Sequence, residues 1–190
     1  TTRAGTAIPS DTSVTLGNDS VEVDATVLYA DLTASTNLVD TKAAWFAAQV
    51  YKAYLLACVQ IIKSEGGEVT AFDGDRVMGV FMGDLKNNRA IKAALKINGI
   101  VRNTINPAIT AQYGAGTYTV TQVVGIDTSK LFVAKTGIRG ANDLVWVGRA
   151  ANHAAKMCSI NEFPTWISKA VYDGITGEAK YSNGVDMWQA

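Results

Sequence analysis

The stretch VLYADLTAST, residues 27–36, carries four apolar residues to a single carboxylate, Asp31, and then a run of small and hydroxyl-bearing residues. A β-branched, apolar run such as Ala25–Asp31 reads as a buried strand. Thr33, Ser35, Thr36 and Asn37 follow it just ahead of a helical pattern. Two readings stand side by side. In one, Thr36 or Asn37 caps the helix and Asp31 is a turn residue. In the other, Asp31 is half of a metal site, and the hydroxyls and free N–H groups of the helix start hold phosphate.

Downstream, Trp45, Ala48, Leu55, Val59 and Ile62 recur at helical spacing. They predict one amphipathic helix over 40–64, closed by the glycines of SEGGE. EVTAFDGDRVMGVFMG (68–83) predicts two strands joined at DGD, a strong hairpin signal. A second helix is expected over 87–106, and two strands over 118–129 and 130–138. LVWVGRAANHAAKMCSI (144–160) begins as a strand and turns helical near Gly148, and TWISKAVYDGI (165–175) reads as a short helix. Residues 1–22 are small and polar and read as a flexible arm ahead of one domain, 23–190. Strands alternating with amphipathic helices predict an α/β sandwich built on one mixed sheet.

The composition narrows the functions. With 190 residues, 48% of them hydrophobic, the chain is long enough to bury a substantial core. Seventeen basic and 17 acidic residues leave no net charge, which argues against a general nucleic-acid binder. One His and two cysteines outside any metal-type spacing argue against zinc. Cys58 and Cys158 stand in apolar helical contexts and read as buried, reduced thiols. No uninterrupted apolar run reaches the roughly 18 residues of a bilayer span. TTRAGTAIPSDTS has no apolar signal-peptide core. The expectation is a cytoplasmic protein with neither membrane nor nucleic acid as partner.

Asp75 sits in the turn of FDGDRV. If its hairpin neighbours the strand ending at Asp31, both carboxylates meet at one sheet edge. Paired carboxylates without His or Cys suit a hard cation such as Mg²⁺. Two such ions hold a triphosphate and activate a hydroxyl that attacks its α-phosphorus. Taken singly, Asp75 reads as a hairpin residue sooner than as a ligand.

Three segments, taken together, resemble the class III nucleotidyl cyclases. VLYADLTASTNL is similar to their opening motif, an apolar strand ending in D-[IL]-x-x-x-T. GGEVTAFDGDRVMGVF resembles the second motif, and VGIDTSKLFVAKTGIRGANDLVWVGRAANHAAKM the third, with VG-x-x-x-N-x-A-x-[RK]-M on a helix. The motifs fall in the family's order over about residues 25–160. The resemblance implies a mixed, mainly antiparallel sheet flanked by helices, akin to the ferredoxin-like palm of polymerases. It also implies a homodimer with two active sites at its interface. Asp31 and Asp75 match the carboxylates that bind two Mg²⁺ or Mn²⁺ ions, helped by the carbonyl of Leu32. Thr33, Ser35 and Thr36 fall beside the phosphates. Asn152 matches the transition-state Asn supplied by the partner subunit. Lys156 stands where the family has Arg, which keeps the charge but loses the planar fork of donors. Arg149 is a further candidate for the phosphates. On spacing alone, Asn152 and Lys156, four apart on one helical face, read by default as a solvated surface.

Purine cyclases read the base with a polar pair, and here the matching residues are Ala71 and Val145. Neither forms a side-chain hydrogen bond. Of a decayed site and a site for another base, the second agrees with the retained Asp31, Asp75 and Asn152. The chain resembles the stand-alone pyrimidine cyclases of bacterial Pycsar anti-phage systems. That likeness implies a nucleoside triphosphate substrate, UTP first and CTP second, and a cyclic product read by a separate cyclic-nucleotide-binding effector. A purine cyclase and a silent nucleotide-binding module are the alternatives. Tyr51 is the candidate that narrows the base pocket, with Tyr54 and Phe46 as rivals and core packing as the other reading.

Overall fold

The computed structural model describes residues 1–138 and 141–189. Arg139 and Gly140, inside the third motif, lie outside the described residues. In chain order the elements are β1 (Thr2–Ala4), β2 (Ser20–Leu32), α1 (Ser35–Thr41), α2 (Ala44–Ser64), β3 (Glu68–Asp73), β4 (Arg76–Met82) and α3 (Lys86–Ile100). A π-helical segment, Val101–Ile105, leads into α4 (Asn106–Tyr113). There follow β5 (Gln122–Ile138), β6 (Ala141–Val147), α5 (Arg149–Met157), β7 (Thr165–Ile167), α6 (Lys169–Asp173) and a short hairpin of β8 (Tyr181–Ser182) and β9 (Val185–Asp186).

The main path of the sheet is β3-β4-β2-β5-β6, antiparallel throughout. β1 adds to β2 and β7 to β5, both parallel. The sheet is therefore mixed and mainly antiparallel. β2 is its centre, and its alternation builds two cores. Leu28, Ala30 and Leu32 face a cluster with Phe46, Tyr54 and Ile62 of α2 and Ile91 and Ile97 of α3. Val21, Val23, Ala25 and Val27 face the other way, against Val14 and the Ala150, Ala151 and Ala154 stripe of α5. Side chains in a strand alternate faces, so Tyr29 and Asp31 continue the second set.

Several boundaries differ from the sequence reading. The helix expected over 40–64 is two helices, because Lys42 is extended and breaks the ladder after α1. The two strands expected over 118–138 are one, β5, which pairs with β7 through its first half and with β6 through its second, on the edge opposite β2. The first part of the helix expected over 165–175 is strand β7, and α6 begins only after Ser168. Within residues 1–22, β1 is paired and Val14 is 1% exposed. α2 is long and apolar enough to cross a membrane by length and composition, and its inner face packs into the first core. Cys58 and Cys158 are buried free thiols, and burial pushes each up to about 12.

α5 rests directly on β5 at Gly125. A Cβ there would overlap the Ala154 carbonyl oxygen and stand 3.0 Å from Met157 Cβ. Gly125→Ala must lift the helix from the sheet, and overpacking of this kind costs about 1–3 kcal/mol. Chemical denaturation measures it, and an unchanged midpoint contradicts this packing.

Candidate functional site

The site follows from one register. β2 and β4 are antiparallel with Asp31 opposite Arg76. β3 and β4 are joined by the two-residue turn Gly74–Asp75, with Gly74 at φ +62°. Glycine takes that left-handed conformation without steric cost. Asp75 thus stands one residue before the residue that faces Asp31. Both are half-buried. The Asp31 carboxyl is pushed up to about 6, first by burial and then by the negative charges of Asp75 and Asp73, against a lowering by Arg76. Two carboxylates that sense each other in a partly dry setting are poised to take up positive charge.

Arg76 is a site residue that sequence reading passed over. Its guanidinium binds Asp73 Oδ2 at 2.6 Å and lies 5.2 Å from the centre of the Tyr29 ring. The signal was in plain view, a basic residue directly after the turn Asp in FDGDRV.

On the other side of Asp31 the chain turns into α1. Thr33 and Ser35 are half-buried and Thr36 is exposed. The residue ahead of the helix is Ala34, left-handed at φ 58° and with no side-chain cap. Thr36 and Asn37 lie inside the first turn, so neither is the cap; the left-handed turn at Ala34 starts the helix earlier than a cap at either would. The N–H groups of a first helical turn have no partners within their helix. Here that turn follows Asp31 by four residues.

Thr33 N–H donates to Thr121 O at 2.9 Å, which lays the segment before β5 along the start of α1. That segment carries Tyr118. Burial raises its phenol, and the neighbouring Tyr51 and Asp75 add to the rise. Tyr118 thus stands close to both, a neighbour that a lone aromatic in a Gly- and Thr-rich loop does not announce. Tyr51 is half-buried against the first core. Its rivals Tyr54 and Phe46 are core residues, 0% and 4% exposed.

α5 presents Asn152 and Lys156 outward, while Ala150, Ala151 and Ala154 face the sheet. The Arg149 guanidinium is engaged within the chain. Its Nη2 donates to Thr128 O at 2.9 Å, and its Nε lies 3.5 Å from Asp127. Ala71 on β3 packs toward the second core, as do Leu144 and Trp146 on β6. Val145, between those two, points to the opposite face. The chain therefore does not bring the side chains of Ala71 and Val145 together.

Comparison with known proteins places this geometry. A uridylate cyclase from Xanthomonas perforans is 52% identical over 189 residues, covering 99% of this chain and 82% of that protein. A uridylate cyclase from Burkholderia cepacia is 53% identical over 164 residues, covering 86% of this chain and 71% of that protein. The chain belongs to the uridylate cyclase family. No protein-family model matches it. Among solved structures, that of the guanylyl cyclase Cya2 superposes with a TM-score of 0.74 at 21% identity, covering 86% of this chain and 83% of that one. The uridylate cyclase family thus shares the class III cyclase fold in this chain, as the three sequence motifs implied.

The donor set is suited to a hard divalent ion. Among the described residues, no three His, Cys, Asp or Glu side chains gather into a metal cluster. What the edge offers is two carboxylates and main-chain oxygen at Leu32, the last residue of β2, paired with Gln122. Mg²⁺ is characteristically bound by one or two carboxylates plus substrate phosphates.

The raised Asp31 has a measurable consequence in the metal-free protein. A carboxyl near 6 in the fold, against an ordinary 3.8, destabilises the fold while ionised, so the deficit is full above pH 6. It fades as pH falls toward 3.8, where folded and unfolded chains are both protonated. Asp31→Asn should therefore melt above the parent at pH 7–8 and level with it below about pH 4. Equal melting temperatures at pH 8 would show that Asp31 is not held against its charge.

Proposed function

We propose that this chain is a nucleotide cyclase that converts UTP to 3′,5′-cyclic UMP and pyrophosphate. The observation that carries the proposal is the meeting of Asp31 and Asp75 at one sheet edge, beside the hydroxyl-lined start of α1. The relatives named uridylate cyclase support the choice of base. So does the sequence at Ala71 and Val145, the two positions that the resemblance assigns to base reading, neither of which carries a polar side chain.

Two Mg²⁺ or Mn²⁺ ions held by Asp31 and Asp75, with the Leu32 carbonyl, would supply charge neutralisation on the triphosphate and acidify the ribose 3′-hydroxyl. The chain's own groups do the rest. Thr33, Ser35, Thr36 and the N–H groups of the first turn of α1 hold the phosphates on the metal side. Tyr51, with Tyr118 beside it, narrows the pocket to a pyrimidine. The partner protomer of a homodimer brings Asn152 to orient the ribose and Lys156 to balance charge on the phosphates. The 3′-oxygen bonds to the α-phosphorus in line as the bond to the β-phosphate oxygen breaks, and the 3′-proton leaves to solvent. Positioning and electrostatics supply nearly all of the barrier lowering in such a transfer. We assign the product to second-messenger signalling in cytoplasmic anti-phage defence, read by a cyclic-nucleotide-binding effector. The resemblance to Pycsar cyclases supports that role.

Incubating purified protein with each of the four nucleoside triphosphates and Mn²⁺, and resolving products chromatographically, tests the reaction. Cyclic UMP should dominate. Cyclic AMP or cyclic GMP as main product, or no cyclic product at all, sinks the assignment. Asp31→Ala and Asp75→Ala should each abolish turnover in folded protein. Lys156→Ala should lower kcat by about 10²-fold, the scale of one lost transition-state donor, and Lys156→Arg should retain activity. Full activity in either Asp variant would defeat the metal assignment.

A further inference from the structure

Asp127 is wholly buried in the middle of β5, and none of the chemistry above uses it. Its environment is unusual for a core carboxylate. Oδ1 accepts from the Ser168 hydroxyl, and also from the N–H of Thr128 at 2.8 Å. Oδ2 has no hydrogen bond of good geometry but stands 3.4 Å from His153 Nδ1 and 3.5 Å from Arg149 Nε. Both of those residues belong to α5, one turn apart, and their side chains are 51% exposed. The next two residues of β5 reach the same helix. Thr128 O takes the Arg149 Nη2–H at 2.9 Å, and the Ser129 hydroxyl accepts the Ala150 N–H at 3.0 Å. The tripeptide Asp127-Thr128-Ser129 thus grips the first turns of α5 at three successive residues. Gly148, ahead of the helix, supplies no side-chain cap of its own.

We infer that Asp127 is a positioning residue, which acts through Arg149 and His153 to fix the rotation and height of α5 on the sheet. The inference rests on the cyclase reading for its consequence. Asn152 precedes His153 directly, and Lys156 lies one turn further on, so the clamp sets where both point. An alanine stripe alone locates such a helix poorly, because small flat side chains leave it free to slide. The carboxylate removes that freedom by holding Arg149 Nε and His153 Nδ1, on one helical face, within 3.5 Å of its Oδ2. It also assigns Arg149 a task within its own protomer, in place of a phosphate contact.

Asp127→Asn separates this role from mere filling of the core. The amide keeps an acceptor for Ser168 and turns N–H donors toward Arg149 and His153, so the strand side survives and the helix side is broken. In the full-length protein, amides of 150–156 should exchange with deuterium at least about tenfold faster than in the parent, with β2 and β4 unchanged. kcat for cyclic UMP should fall at least about tenfold, since a displacement of about 1 Å at reacting groups costs up to 10²-fold. KM should stay within about threefold, because Asp31, Asp75 and the phosphate loop are untouched. His153→Leu, at an exposed position, should move both readouts in the same direction, and His153→Gln, which restores a donor N–H, should return them toward the parent. Unchanged exchange in 150–156 for both Asp127→Asn and His153→Leu overturns the inference. So does faster exchange spread evenly over β2, β4 and α5, which marks a core defect. If the parent protein makes no cyclic nucleotide, the cyclase reading falls, and the exchange data still decide whether Asp127 positions α5.

Discussion

Two carboxylates that repel each other are held together by the register of β2 against β4. Asp31 faces Arg76, and Asp75 is carried one residue away by a glycine-led turn. Nothing local to either side chain favours the meeting. Its cost is visible in the Asp31 carboxyl, which burial and its acidic neighbours lift to about 6. The cost is borne by the strand ladder and by the two cores that alternate side chains of β2 build on its faces. A one-residue slip of β2 would send Asp31 into the α2–α3 core and turn Leu28, Ala30 and Leu32 toward α5. Register, fold and site are therefore one constraint.

The same edge carries its own partial compensation. Arg76 lowers the Asp31 carboxyl while being tied to Asp73 and stacked by Tyr29. A fixed cation softens the repulsion. In the proposed reaction, divalent ions and a triphosphate would complete a charge balance that the chain leaves open. Sites built this way trade stability for poise, and the local rule broken here is the one against pairing like charges.

What could be read from the sequence were the features that chain periodicity and turn chemistry encode. The buried strand to Asp31, the DGD hairpin and the helix after Gly148 are each specified within about ten residues, and each is where the motifs placed it. Their ordered spacing led to the family. Features set by long-range packing were not legible. The break at Lys42 is extended backbone between α1 and α2, and no Gly or Pro near it marks the break in the sequence. Tyr118 senses the charges of Tyr51 and Asp75 on a segment that Thr33 ties down through Thr121, about 88 residues along the chain. Asp127 looked like any polar residue at the end of a β-branched run; its grip on α5 needs the fold. Arg76 was readable and was missed.

The central claim is that the carboxylate edge of one protomer works with α5 of another. Co-expressing Asp31→Ala and Asn152→Ala chains tests it most directly, because each homodimer lacks a group in both sites while the mixed dimer keeps one intact site. Random pairing in a two-fold dimer predicts recovery of about a quarter of the parent's cyclic UMP production from two inactive variants. A mixture as inactive as either variant alone would contradict a shared site.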